Sequence, residues 1–152
     1  MNLLEKAAAN QLKKTGEKKK MSIRGQCNNT YDVYAIPLKY LYYNDKNGRI
    51  NTAYKKYSSI HGLLIPNAGD SEYNKIFEEF IYNSNSQAMD QTVLSFKEKA
   101  QQEPGVVLSD GRVIDGNRRL TALRIIEKEK NIPQEFNAII LPYDLKLDRK
   151  SV

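Results

Sequence analysis

Two successive arginines, Arg118 and Arg119, follow Asp115-Gly116-Asn117 at the end of the apolar run Val113-Ile114. The pattern predicts a strand that stops at a glycine and a helix that starts at once, with Asn117 in the N-cap position. A helix N-terminus offers free backbone N–H groups and a partial positive charge, which suits phosphate. The glycine lets a backbone approach an anion closely, and each guanidinium can hold phosphate oxygens through a planar fork. The competing reading is a solvated face whose arginines pair with surface carboxylates. Cationic side chains there oppose the helix dipole by ~0.3 to 1 kcal/mol each, so the pair asks for a compensating anion.

The elements that must position this turn can be read from periodicity. Tyr31 to Ile36 alternates like a strand, Pro37 closes it, and Leu38 to Tyr43 reads as a short helical or extended turn. Asn44-Asp45-Lys46-Asn47-Gly48 has turn chemistry, and helical character follows from Arg49 to Tyr57. Tyr73, Ile76, Phe77, Phe80 and Ile81 mark one face of an amphipathic helix, and Met89, Val93, Phe96 and Ala100 mark another that Pro104-Gly105 ends. Two short strands, Val106 to Leu108 and Arg112 to Ile114, flank the turn Ser109-Asp110-Gly111. A helix with Leu120, Leu123 and Ile126 inward comes next, and Phe136 to Leu141 is the last strand. The expected class is α+β, a small mixed β-sheet flanked by helices.

The chain has 152 residues and a formal charge of +6. Lys6, Lys13, Lys14, Lys18, Lys19, Lys20 and Arg24, against Glu5 and Glu17, concentrate most of that charge in residues 1–24. We read residues 1–30 as a basic extension, partly helical or disordered, and residues 31–145 as the folded domain with a tail at 146–152. The basic residues 6–24 suggest non-specific DNA as a partner, separable from the phosphate turn. A single cysteine, Cys27, excludes an internal disulfide, and His61 lacks the companions a metal site needs. No apolar run approaches the roughly 18 residues of a membrane span, so a cytoplasmic protein is expected. The tyrosines read mostly as packing residues. Glu78, Glu79, Glu98 and Glu103 fall on polar helix faces without the pairing that a glycosidase or nuclease needs.

The run from Val106 to Arg124 resembles the signature of the ParB/sulfiredoxin superfamily. Gly116 to Ala122 matches the G-E-R-R-x-R-A stretch of ParB partition proteins, with Asn117 in place of the glutamate and Thr121 in place of the third arginine. Asn44 to Arg49 resembles the upstream box that also contacts the nucleotide. The resemblance implies a nucleoside triphosphate (CTP, ATP or GTP) with Mg²⁺, held by Arg49, Gly116, Asn117, Arg118, Arg119 and Thr121. Asn47 and Asp115 are the candidates for positioning water in slow hydrolysis. A DNA-associated role in partition, mobile elements or defence follows, with a second copy of the chain as a candidate partner. The chain leaves no room for the helix-turn-helix and dimerisation domains of partition ParB. Ile114 to Leu123 also resembles the D-G-Q-Q-R proteins of DNA restriction systems, which hydrolyse NTPs, and ParB-like kinases offer phosphoryl transfer as a further alternative. Sulfiredoxin activity is excluded, because Asn117 stands where those enzymes carry their cysteine.

Overall fold

The computed structural model describes residues 2–21, 29–46, 50–69, 71–101 and 103–142. Among these residues it is an α+β fold, a six-stranded mixed sheet with five α-helices. Its elements run α1 (Leu3–Ala8), β1 (Lys13–Met21), β2 (Asn29–Pro37), a 3₁₀ turn (Leu38–Tyr40), β3 (Tyr42–Tyr43) and α2 (Asn51–His61). The order continues α3 (Glu72–Ser84), α4 (Ser86–Lys99), β4 (Gly105–Leu108), β5 (Arg112–Asp115), α5 (Asn117–Lys130) and β6 (Glu135–Leu141). Strand order across the sheet is β1-β2-β6-β4-β5-β3, with β4–β6 and β3–β5 parallel and the other pairs antiparallel. Among the described residues no helix is long and apolar enough to cross a membrane.

Local chemistry explains the helices. Ser71 caps α3 by accepting from the N–H of Asn74, and Tyr73, Phe77 and Ile81 bury its apolar stripe. Asn85 caps α4 through Ala88 N–H, and Met89 and Val93 face inward. Helix α5 buries Leu120, Leu123 and Ile126 and stops at Asn131, which takes the left-handed conformation at φ 53°. Strands β4 and β6 are covered on both faces, which is why they read as near-continuous apolar runs. Val107, Ala138 and Ile140 face the main core with the helices, while Val106, Leu108, Ile139 and Leu141 form a second cluster with Val33 and Ile114.

The described part of residues 1–30 is not an extension. Leu3 is fully buried and Leu12 nearly so in the main core, and the Leu3 N–H donates to Ser109 O at 2.7 Å. Between them α1 is capped by the Asn2 side chain. The lysine-rich run is strand β1, paired to β2 from Lys13↔Ala35 to Met21↔Asn29. Such a run reads as solvated because lysines bury little; here the backbone supplies the pairing, and Lys13, Lys18 and Lys20 are exposed at the sheet edge. A register shift between Lys14 and Lys18, with Gly16 at φ 89°, breaks the strand's regularity. The β2–β6 ladder ends at Tyr34↔Ala138, and beyond it Tyr31 and Val33 pack on the second cluster.

Candidate functional site

Because β3 and β5 run parallel, with Tyr42↔Arg112 and Tyr43↔Val113, both strands deliver their C-terminal ends to the same end of the sheet. The turn after β3 and the turn after β5 therefore leave the sheet side by side. Asn44 is buried in the first of these, its Oδ1 accepting from Lys46 N–H, and Ile50 anchors the start of α2 in the core. Asn47 and Arg49, two of the candidate site residues, lie outside the described residues, as do Gly48 and Cys27.

The second turn is built on Gly116, which takes the left-handed conformation at φ 102°, ψ 26° and is itself the N-cap of α5. Asn117, expected at the cap, is the first helical residue instead. A β-carbon on Gly116 would lie 2.8 Å from Cζ of the buried Phe136 ring, so the chain turns here with no space for a side chain. The first ladder bond is Leu120 N–H to Gly116 O, and no side chain caps the earlier N–H groups. Asn117 is only 9% exposed, and its Oδ1 has no hydrogen-bond partner among the described residues.

The two arginines are not equivalent. Arg119 donates through one terminal nitrogen to the carbonyls of Glu103 (2.8 Å) and Pro104 (3.1 Å), and its other lies 3.7 Å from Asp115 Oδ2. It ties the start of α5 to the segment before β4. Half-buried Arg118 makes no hydrogen bond or ion pair among the described residues. Asp115 is exposed and has no other side-chain partner among the described residues. Thr121 does not face a ligand: it is fully buried, and its hydroxyl bonds to Tyr43 OH (2.7 Å) and Asn117 O (2.8 Å).

The surrounding braces were not legible in the motif. Tyr43 locks β3 to α5 through Thr121, and Tyr73 donates to Tyr43 O. Burial pushes the Tyr43 and Tyr73 hydroxyls well above the usual tyrosine range. Tyr42 is pushed up to about 12 by burial and then by its 2.5 Å hydrogen bond to Asp110, whose other oxygen accepts from Arg112 N–H. Arg124 of α5 is 5% exposed and pairs with Glu78 of α3 at 2.7 Å, which Lys128 also reaches. Glu78 thus belongs to a largely buried ion pair rather than to a polar face. One further cation stands beside the turn: Lys19 Nζ lies 3.5 Å from Pro104 O, the carbonyl that Arg119 also holds. No signal in the sequence links a lysine and a proline so far apart.

A surface cavity of about 630 Å³ lies at the other end of α5 between Leu38, Arg124, Glu127 and Ile132. None of the site residues lines it. Another of about 400 Å³ lies between Tyr57, His61, Leu63 and Tyr73, where the His61 ring packs on Tyr57. Among the described residues no group of three His, Cys, Asp or Glu side chains is arranged to hold a metal. Compared with protein-family models, with curated proteins and with solved structures, the chain matches none.

Proposed function

We propose that the domain binds a nucleoside triphosphate with Mg²⁺ at the Gly116 turn, as the ParB-like sequence motif implies, in a DNA-associated process. The observation that carries this reading is the turn itself: a left-handed glycine cap, uncapped N–H groups, and Arg118 in the first turn of α5 without a partner among the described residues. Mg²⁺ fits this surrounding, since it commonly takes one or two carboxylates and completes its shell with water and substrate phosphate. Asp115 is the exposed carboxylate available for that contact. Magnesium would neutralise phosphate charge there, and Asp115 would hold its water or orient an attacking one.

The test is titration calorimetry with CTP, ATP and GTP in the presence of Mg²⁺. Arg118→Ala removes a charge-assisted contact of about 1.5–3 kcal/mol, roughly a tenfold to more than hundredfold rise in Kd. Absence of heat with all three nucleotides at millimolar concentration, in the wild type, overturns the reading. Phosphate release by wild type and Asp115→Ala then separates a binding module from a slow NTPase. A wild-type rate equal to buffer leaves binding alone.

A further inference from the structure

The Gly116 turn accounts for only one end of the positive surface. Strand β1 carries five lysines against one glutamate and forms an edge of the sheet. Lys14 is engaged with Asp32 at 3.6 Å. Lys13, Lys18 and Lys20 are exposed and make no ion pair or hydrogen bond among the described residues. Lys19 points back, and its ammonium shares the Pro104 carbonyl with the Arg119 guanidinium. One neutral oxygen cannot compensate two cations. Asp115, exposed and 3.7 Å from Arg119, offsets one of these charges.

Length decides what this surface fits. The ends of the strand pair with Ala35 and Asn29 of β2, so with its bulge β1 spans about six strand steps of about 3.4 Å, roughly 20 Å, more than the phosphates of one nucleotide would cover. A nucleic-acid strand presents a charge about every 3.4 Å and runs on for any distance.

We propose that β1 is a track for the phosphate backbone of a nucleic acid, which meets the α5 N-terminus where Lys19 and Arg119 share the Pro104 carbonyl. Lys18 and Lys20 hold phosphates by charge, without regard to base sequence. The track rests on the anion reading of the Gly116 turn only where it ends there. A bystander role also exists for these lysines, since charge on an edge strand blocks edge-to-edge pairing. The two roles part in a binding experiment.

Fluorescence anisotropy of labelled 20-nucleotide DNA and RNA, single-stranded and duplex, is followed from 50 to 200 mM salt with the full chain and with Lys18→Gln plus Lys20→Gln. Both positions are exposed, and thermal melting checks that the variant keeps its fold. For a single strand each lost phosphate contact changes the slope of log K against log salt by about 0.7, so the double variant is expected to lose about 1.4, and about 1.8 on a duplex. Affinity is expected to be the same for unrelated base sequences. An unchanged slope, no binding at 50 mM salt, or affinity that depends on base sequence overturns the track. Nucleotide heat without a lysine-dependent slope leaves the nucleotide reading and removes the track, and the converse result removes the nucleotide and leaves the track.

Discussion

Replacing Gly116 by alanine tests whether the turn is as tightly specified as its geometry indicates. At φ 102° an L-residue carries a backbone cost of about 1–2 kcal/mol. Its β-carbon would also sit 2.8 Å from Phe136 Cζ, and Phe136 is fully buried with no free direction in which to yield. Overpacking of this kind costs about 1–3 kcal/mol, so Gly116→Ala is expected to lose about 2–5 kcal/mol. A domain of this size holds about 5–15 kcal/mol in total, and each kcal/mol moves Tm by roughly 2–4 °C. Urea unfolding followed by far-ultraviolet circular dichroism measures the loss as a shift in midpoint at constant slope. Two companion variants divide the causes. Gly116→Asn tolerates the left-handed backbone better yet still meets the ring. Phe136→Leu in the Gly116→Ala background takes the ring edge away, and a favourable coupling of about 0.5–3 kcal/mol is expected between the two sites. A Gly116→Ala protein within about 0.5 kcal/mol of wild type, or no coupling to Phe136, would refute the reasoning.

Leu3→Ala, at a fully buried position that the charge pattern alone assigns to a tail, is expected to cost about 2–5 kcal/mol in the same urea assay, and a neutral result would return residues 1–12 to the status of an appendage. Deleting residues 1–24 is accordingly expected to unfold the domain, to be seen as lost cooperativity on heating, rather than to spare the phosphate turn. Arg124→Ala leaves Glu78 without its closest partner and is expected to destabilise by about 3–5 kcal/mol, whereas a surface ion pair would give less than about 1 kcal/mol. Tyr42, whose folded pKa is raised from 10.0 to about 12, keeps its proton longer in the folded state, so its contribution is complete below pH 10 and is lost as pH rises from 10 to 12. Urea midpoints across that window should fall more steeply for wild type than for Tyr42→Phe, and equal slopes would contradict the assignment.

The sequence by itself determined the strands near Tyr31–Ile36, Val106–Leu108, Arg112–Ile114 and Phe136–Leu141, the amphipathic helices and the turn at Gly116, but not the two-residue strand β3 or the segment from 58 to 71. Those features are written in near neighbours: Tyr73, Phe77 and Ile81 repeat at helical spacing, and a glycine between Ile114 and an Arg-Arg pair ends one element and begins the next. The tertiary structure decided which of the motif's side chains are free. Thr121 and Arg124 look polar and available in sequence, but α5 packs against β3 and α3, so Tyr43 and Glu78 take them from positions 78 and 46 residues away. The same holds for the first 21 residues, whose lysines carry no periodic apolar signal. Strand β1 exists because β2 offers backbone partners along its length, and Lys19 reaches the Gly116 turn because the β1–β2 pair leaves the β6 ladder at Tyr34. Local patterns specify helices and turns; pairing between distant strands specifies register, and register alone brings a lysine to a carbonyl 85 residues along the chain.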